Sequence, residues 1–315
     1  MNKLPAGVHP DLRINSYGWY LRRRFGCRVS KVNVDAGFTC PNRDGSRGHG
    51  GCIYCDNTSF SPEATQADIP IEEQMAAGME YHRNRLGSEK FIVYFQKFTN
   101  TYAPVERLAE LYGRALSRDD VIGISIGTRP DSVTPEVADL LEEIAEKHYI
   151  CLELGLQSMD DSILQMINRG HTLDEYVKAV ELLSGRGIEI CTHLIYGFPG
   201  EKRENFLRTA DLISGLGVNS VKLHQLHAVK GTELARLYQK REFVPIPLKE
   251  YVDAACDFIE RIPSRITIQR LYGSAPLDIR VAPNWDLKNN QMWYAVLNEL
   301  KARDSWQGKY FLEAA

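Results

Sequence analysis

The sequence lacks any apolar run of about 18 residues, which is the length that a membrane-spanning helix needs. Its amino terminus has no apolar core of the kind found in signal peptides, so the predicted location is the cytoplasm, without a membrane partner. Neither sign of charge is in large excess, because the formal net charge is −3 in 315 residues, which gives no overall reason to bind nucleic acid or anionic membranes. The proportions of 43% hydrophobic and 25% charged residues indicate a globular protein.

Cysteine is scarce and odd in number, so the seven thiols cannot all pair within the chain. In a reducing compartment, closely spaced cysteines indicate metal binding or catalysis before they indicate disulfides. Four cysteines stand apart among apolar or mixed neighbours, where a thiol is usually a small buried hydrophobe: Cys27, Cys151, Cys191 and Cys256. The other three share one glycine-rich segment with the spacing C-x11-C-x2-C, and they are Cys40, Cys52 and Cys55.

From residue 29 onward, short β-branched runs alternate with longer amphipathic stretches. Strands are predicted at 29–34, 91–95, 121–126, 149–154, 188–195 and 220–223, with helices at 71–86, 104–116, 135–147, 160–167, 173–184 and 201–214. This alternation is typical of parallel βαβ units, and the nearly continuous apolar strands indicate a sheet buried on both faces. A complete eight-unit barrel takes about 250 residues, so six units favour an open or partial barrel of the α/β class.

The remaining chain predicts two flanking regions. Residues 1–28 form a basic, aromatic amino-terminal segment, residues 29–223 the core barrel, and residues 224–315 an α+β extension packed on the barrel. The extension contains two predicted helices, at 248–261 and 289–302, and a predicted strand at 265–268. No linker rich in Gly, Ser or Pro marks a clean boundary between these regions.

The three clustered cysteines directly follow the first predicted strand, and this position in a barrel is at the carboxyl-terminal face, where active sites are built. A tetrahedral zinc ion would need a fourth ligand, and His49 lies nearby in the sequence. A [4Fe–4S] cluster held by three cysteines leaves one iron open to a cofactor or substrate. The spacing alone leaves zinc, a cluster and uncoordinated thiols open.

Several motifs in order along the chain carry a resemblance to a known family. They are Cys-Pro-Asn-Arg-Asp-Gly at 40–45, Cys-Ile-Tyr-Cys at 52–55, Gly-Thr-Arg-Pro-Asp at 127–131, Glu-Leu-Gly-Leu-Gln-Ser at 153–158, Asn-Arg-Gly-His-Thr at 168–172 and His-Leu-Ile-Tyr-Gly-Phe-Pro-Gly-Glu at 193–201. Together they resemble the radical SAM superfamily, in the branch that includes the Elongator catalytic subunit and the oxygen-independent coproporphyrinogen oxidases. Within that branch the sequence is most similar to the YhcC-like bacterial family, over about residues 10–300.

The resemblance implies a partial (β/α)6 TIM-like barrel and two cofactors, a [4Fe–4S] cluster on the three clustered cysteines and S-adenosylmethionine on its open iron. It also implies a low-potential electron donor such as flavodoxin or ferredoxin. Gln157 and Arg169 match residues that contact S-adenosylmethionine, and His193 stands where the branch has an aspartate. Gly197 and Pro199 belong to the turn that passes close to adenine. The Gly-Gly-Glu that many members use for the methionine amine is absent, and Gln96 and Thr99 are the candidates to replace it.

For the substrate, the resemblance implies the wobble uridine of tRNA, where carboxymethylaminomethyluridine would be trimmed to aminomethyluridine. The polar residues expected at the barrel mouth to meet substrate are Arg129, His224, His227, Arg270 and Tyr272. The first 47 residues hold nine Lys or Arg against three Asp or Glu, interleaved with aromatics, a pattern that favours phosphate contact and base stacking. Two alternatives are radical oxidation of a small molecule such as a porphyrinogen, and a zinc-stabilised, non-catalytic RNA-binding module.

Overall fold

The structure, a computed structural model, describes residues 4–56, 67–285, 287 and 289–311. In this part of the chain there are nine strands, which are β1 Val29–Val34, β2 Lys90–Phe95, β3 Val121–Thr128, β4 Tyr149–Gln157, β5 Glu189–Tyr196, β6 Ser220–Gln225, β7 Ala228–Val229, β8 Thr267–Arg270 and β9 Arg280–Ala282. Seven of them form one all-parallel sheet in the order β1-β2-β3-β4-β5-β6-β8, and β7 pairs with β9 in a short antiparallel ribbon.

Helices form the long crossover connections that successive parallel strands need. They are α1 Tyr17–Phe25, α2 Ile71–Leu86, α3 Val105–Ala115, α4 Pro135–Ala145, α5 Asp161–Met166, α6 Leu173–Leu183, α7 Arg203–Gly215, α8 Glu233–Gln239, α9 Leu248–Arg261 and α10 Asn289–Ala302. Local sequence fixes several of their ends. At α6 the side chains of Thr172 and Glu175 form a reciprocal capping box, and Pro135 occupies the first turn of α4 behind the cap residue Thr134.

The partial α/β barrel predicted from the sequence is confirmed, with one strand more than the six core units. The strand expected at 265–268 within the carboxyl-terminal extension is β8, and it pairs in parallel with β6 as the seventh strand of the main sheet. Ile268 of β8 and the preceding Ile266 are both buried, so this segment completes the barrel wall. The domain boundaries at residues 28 and 223 stay predictions.

The sheet curls so that side chains from distant strands meet inside it. Lys31 of β1 reaches Glu153 of β4 at 2.5 Å and Gln269 of β8 at 2.9 Å. The amino-terminal helix α1 covers one end of the curl, because Tyr17 contacts the hydroxyl of Tyr149, the first residue of β4, at 2.9 Å. Helix α1 therefore lies at the amino-terminal ends of the strands. None of the described helices is long and apolar enough to cross a membrane.

Two helical glycines give a matched test of how tightly the helical layer packs on the sheet. A Cβ at Gly78 in α2 would lie 2.5 Å from Cγ1 of Val32 in β1, whereas a Cβ at Gly113 in α3 meets nothing within 4 Å. We expect Gly78→Ala to lower the free energy of unfolding by about 1–3 kcal/mol through overpacking. Gly113→Ala should raise it by up to about 1 kcal/mol through helix propensity. Urea denaturation measures both, and equal effects would contradict this packing.

Candidate active site

One cavity at the carboxyl-terminal ends of the parallel strands brings together ten of the fourteen site residues that the sequence predicted. They are Cys40, Cys52, Cys55, Gln96, Arg129, Gln157, Arg169, His193, His224 and Arg270. Most come from the cysteine loop after β1 and from the carboxyl-terminal parts of β2 to β6 and β8, and Arg169 comes from the connection between α5 and α6. Residues far apart in the chain meet here because all seven strands run in the same direction, so that their carboxyl ends form one rim.

The cysteine loop is fixed against the connection between α5 and α6. Asn42 donates from Nδ2 to the carbonyl of Asn168 at 2.6 Å, and Asn168 donates back to the carbonyl of Gly51 at 2.8 Å. Gly170 has φ +72°, and a Cβ there would lie 2.8 Å from Oδ1 of Asn42. Glycine is thus required at this position both by backbone conformation and by the close approach of the loop.

The thiols lie among hydrogen-bond donors. Arg169 directs Nη1 at Sγ of Cys52 from 3.6 Å, and Nδ2 of Asn42 lies 3.7 Å from the same sulfur. Burial, and next the neighbouring Cys52, raise the pKa of Cys55 to about 11. Metal binding by these residues would therefore release thiol protons, and the donors around Cys52 would offset the negative charge of the bound thiolate.

The separation of the sulfur atoms distinguishes the two metal chemistries that the spacing left open. Tetrahedral zinc with Zn–S bonds of about 2.3 Å would hold its sulfur ligands about 3.8 Å apart. Within the described part of the chain, one group of three metal-ligating side chains has its ligand atoms within 4.8 Å of one another, namely Glu153, Cys191 and His193. The loop cysteines are not such a group, and His49 is exposed. The three loop thiols are therefore not gathered as closely as the ligands of one zinc ion would be.

The end of β4 is bent where it borders the cavity. The pairing of β4 with β5 is irregular between Gly155 and Gln157, and Gln157 adopts φ +74°, a conformation that costs energy for a residue with a side chain. A Cβ at Gly155 would lie 2.6 Å from both Nη2 of Arg169 and Nε2 of Gln157. The glycine therefore lets both polar side chains cross the strand and reach the cavity.

Beneath the cavity, Glu153 is a fully buried carboxylate with five side-chain partners. It accepts hydrogen bonds from Tyr94 at 2.6 Å, Ser125 at 2.6 Å and His193 at 2.7 Å, and it forms ion pairs with Lys31 at 2.5 Å and with Lys222. These charges hold its pKa well below the usual value, although burial alone would raise it. Since two ammonium groups already neutralise this carboxylate, the group Glu153, Cys191 and His193 is poorly suited to a cation.

The histidines of the cavity are uncharged at neutral pH. Burial first, and then the Lys222 charge, lower the pKa of His193 to about 4. Nε2 of His193 therefore donates to Glu153, which leaves Nδ1 as a hydrogen-bond acceptor. Burial and the charge of Arg270 lower the pKa of His224 well below its usual value. The two imidazole rings lie nearly parallel, with centroids 6.1 Å apart.

Four predicted residues do not line this cavity. Gly197 packs beneath Ile246, and its amide donates to Glu201, so the turn that also holds Pro199 is filled by the protein itself. His227 is buried and hydrogen-bonded to Gln225 at 3.0 Å, and Tyr272 lies with it around a smaller, neighbouring cavity.

Arg129 lines the main cavity but is held in a bidentate pair with Asp131 and donates to the carbonyl of Arg169 at 2.7 Å, which gives it a positioning role.

Sequence reasoning missed Glu153 and Lys222, which both line the cavity. The available signal was a charged residue inside an otherwise apolar strand, in the runs Tyr-Ile-Cys-Leu-Glu-Leu and Ser-Val-Lys-Leu. Buried charges need partners, so an acidic and a basic residue in two buried strands predict an ion pair. The buried hydroxyl of Thr99, which has no hydrogen-bond partner in the described part of the chain, also faces this region.

Comparison with known proteins agrees with these observations. The family model of the radical SAM superfamily matches residues 42–213, and that of the Radical_SAM C-terminal domain matches residues 218–302. Protein YhcC of Escherichia coli (strain K12) is 38% identical over 275 residues, covering 86% of this chain and 87% of YhcC. The tRNA uridine(34) acetyltransferase of Methanocaldococcus infernus is 26% identical over 164 residues, covering 51% of this chain and 30% of that enzyme.

Among solved structures, the chain is similar to archaeal Methanocaldococcus infernus Elp3 with an N-terminal deletion (1–46). The TM-score is 0.67 at 19% identity, and the match covers 89% of this chain and 64% of Elp3. At this identity the likeness shows a common fold.

The buried histidines predict a pH-dependent stability. Burial lowers the pKa of His227 to about 4, whereas an unfolded histidine titrates near 6.5. Below pH 6.5 the unfolded chain therefore binds a proton that the folded chain does not, so stability falls as the pH drops from about 6.5 towards 4. We expect His227→Asn to reduce the stability lost between pH 7 and pH 5 by about 2 kcal/mol relative to wild type. Urea denaturation at both pH values measures this, and identical losses in the two proteins would contradict the assignment.

Proposed function

The chain belongs to the radical SAM superfamily and is a radical SAM enzyme, and on that premise we propose that it trims the carboxymethylaminomethyl group of a wobble uridine in tRNA to an aminomethyl group. Members of this superfamily bind a [4Fe–4S] cluster and S-adenosylmethionine, which together supply a 5′-deoxyadenosyl radical for hydrogen abstraction. In the proposed reaction the hydrogen would come from the methylene group beside the substrate carboxylate, and one further electron would return to the cluster. Water would then cleave the C–N bond of the resulting imine, which would leave the aminomethyl group on the uridine and release the two-carbon unit as glyoxylate. The observation that carries the proposal is a single cavity in which three thiols and the expected cofactor residues lie beside cationic side chains.

The cluster ligands in this proposal are Cys40, Cys52 and Cys55. All three face the cavity from one loop, and that loop is fixed by hydrogen bonds from Asn42 and Asn168 to backbone carbonyls. The three sulfur atoms do not all lie within 4.8 Å of one another, which favours a cluster over a single zinc ion. Donors directed at a ligand sulfur tune the potential of a cluster, which is the role we give to the Arg169 guanidinium.

Contacts to S-adenosylmethionine come from side chains around the same cavity. Arg169 has five N–H donors. Three of them donate hydrogen bonds to His171, Cys52 and Gly155, so two N–H groups are left to donate to a carboxylate. The free Nδ1 of His193 is an acceptor for a hydroxyl, which is the property of the aspartate that it replaces. Gln96, Gln157 and the buried Thr99 hydroxyl are the groups for the amine and the remaining polar atoms. The adenine contact of Gly197 and Pro199 remains the weakest of these assignments, because Ile246 covers the glycine.

Two comparisons support tRNA as the substrate. One relative carries the name tRNA uridine(34) acetyltransferase, and its similarity extends over about half of this chain. The fold is also that of Elp3. A substituent that ends in a carboxylate suits a cavity whose described lining contains six Lys or Arg against one carboxylate. The low-potential electron donor, flavodoxin or ferredoxin, stays a prediction from the resemblance.

Removal of the loop thiols tests the cluster assignment. We expect the Cys40→Ala, Cys52→Ala, Cys55→Ala triple variant to lose its iron and sulfide after anaerobic reconstitution, and with them the conversion of S-adenosylmethionine to 5′-deoxyadenosine and methionine. Cys27→Ala is the matched control, because Cys27 is half-buried and lies outside the cavity. Iron analysis, visible absorption and chromatography of the quenched reaction provide the readouts. A full cluster in the triple variant would overturn the assignment.

The substrate is tested with tRNA that carries carboxymethylaminomethyluridine at the wobble position. Reduced holoenzyme with S-adenosylmethionine should convert this nucleoside to aminomethyluridine, as measured by mass spectrometry of the digested tRNA. Reactions without reductant, and reactions with the triple cysteine variant, should leave it unchanged, because hydrogen abstraction needs both cofactors. If the nucleoside persists while deoxyadenosine accumulates, the enzyme class stands and this substrate is rejected.

A further inference from the structure

Three basic residues form a row across one wall of the barrel. His193 of β5 pairs in register with Lys222 of β6, and Lys222 pairs in register with Arg270 of β8. All three line the cavity, together with His224, which follows two residues after Lys222 on β6. The cysteine loop and most of the residues assigned to S-adenosylmethionine come from the segments after β1 to β4, whereas Lys222, His224 and Arg270 lie on β6 and β8 and have no role with the cofactor in that assignment.

The charge of Arg270 in this wall is not balanced by the protein. Glu153 is the one carboxylate among the lining residues of the cavity, and both of its oxygens are occupied by Lys31, Lys222 and three neutral donors. Arg270 is half-buried, and in the described part of the chain its guanidinium takes part in no hydrogen bond or ion pair. The other lining arginines, by contrast, all have acceptors, such as Asp131 for Arg129. A half-buried guanidinium without an acceptor indicates an anion supplied from outside.

The backbone that carries Arg270 is held in place. Just beyond β8, Gln225 of β6 donates from Nε2 to the carbonyl of Gly273 at 2.9 Å and accepts from its amide at 2.8 Å. A Cβ at Gly273 would lie 2.7 Å from Nδ1 of His224, so the segment presses closely on that ring. Nε2 of His224 is buried and has no hydrogen-bond partner among the described residues. This wall thus holds an unsatisfied imidazole nitrogen and an unpaired guanidinium, two groups that have no partner in the described part of the chain.

We infer that Arg270, with His224 and Lys222 beside it, binds the carboxylate of the substrate substituent and thereby selects carboxymethylaminomethyluridine over its trimmed product. This inference rests on the proposed function and adds the residues that set its specificity. The planar fork of Arg270 matches the carboxylate of the substrate substituent, which the product lacks. Both nucleosides carry an amine, so the carboxylate is the group that distinguishes them. Product release follows from the same contact, because the trimmed nucleoside no longer carries the anion.

The test measures binding rather than turnover. Holoenzyme is titrated with two anticodon stem-loop RNAs that differ in the wobble residue alone, one with carboxymethylaminomethyluridine and one with aminomethyluridine. Wild type should prefer the carboxylate RNA by about 10- to 100-fold, the range of a hydrogen bond to a charged group. Arg270→Gln should abolish this preference by weakening the carboxylate RNA alone, and Arg270→Lys should restore part of it. Arg261→Gln, at a surface arginine paired with Asp211, is the matched control and should behave as wild type.

A second measurement, of S-adenosylmethionine binding, distinguishes a role of Arg270 with the substrate carboxylate from a role with the carboxylate of the cofactor. If Arg270→Gln weakens binding of S-adenosylmethionine and leaves the RNA preference intact, the arginine serves the cofactor and the inference is overturned. A retained preference in Arg270→Gln with unchanged cofactor binding overturns it as well. If neither RNA binds, the free nucleosides are used as probes, and the carboxylate nucleoside alone should protect Arg270 from an arginine-modifying dicarbonyl. Absence of that protection would also overturn it. A preserved carboxylate preference without conversion of the tRNA nucleoside would reject the proposed reaction but not this site.

Discussion

The buried carboxylate of Glu153 is the interaction on which the barrel interior depends. From β4 it contacts side chains of β1, β2, β3, β5 and β6, so that six of the seven strands are joined by one charged group. Burying a carboxylate without partners is prohibitively costly, and removing one member of a buried ion pair typically costs about 3–5 kcal/mol. An apolar residue in its place would leave Lys31 and Lys222 uncompensated inside the barrel. These contacts of Glu153 therefore fix the curl of the sheet, and through His193 and Lys222 they also fix part of the cavity wall.

The sequence predicted those parts of the fold that depend on local pattern. All six core strands and their crossover helices follow from alternating apolar runs, glycine stops and proline starts, and the cysteine loop follows from its spacing. The position of β8 in the main sheet was not predictable in this way, since a four-residue strand between two helices carries no information about its partner. The contacts of Glu153 could not be predicted either, because its partners lie far from it along the chain, with Lys31 122 residues away.

The position of α1 changes the meaning of the basic amino-terminal segment. Tyr17, Tyr20 and Arg24 of this helix contact Tyr149 or Glu189, the first residues of β4 and β5, so the helix lies at the end of the barrel opposite to the cysteine loop. Arg24 is held in an ion pair with Glu189, while Arg22 and Arg23 remain exposed. Phosphate contacts made by this helix would involve a part of the RNA remote from the reacting base. Selection of the base and its substituent is then the task of the cavity itself.

The two sides of the cavity differ in the sign of the charge that they favour in a ligand or bound group. The loop side holds thiols whose metal-bound form is negative, and Arg43, Arg129 and Arg169 are each directed by hydrogen bonds to acceptors on that side. The β5 to β8 side keeps the unpaired charge of Arg270. Burial first, then the charge of Lys31 and last that of Arg270, lower the pKa of Lys222 to about 8, although Glu153 acts in the opposite direction. An anion bound there would restore the usual preference of Lys222 for its charged form and would relieve the mutual repulsion of Lys222 and Arg270. A ligand with a carboxylate thus reduces the electrostatic repulsion between the cations of this wall. A neutral or cationic ligand does not reduce it and obtains no binding free energy from this source.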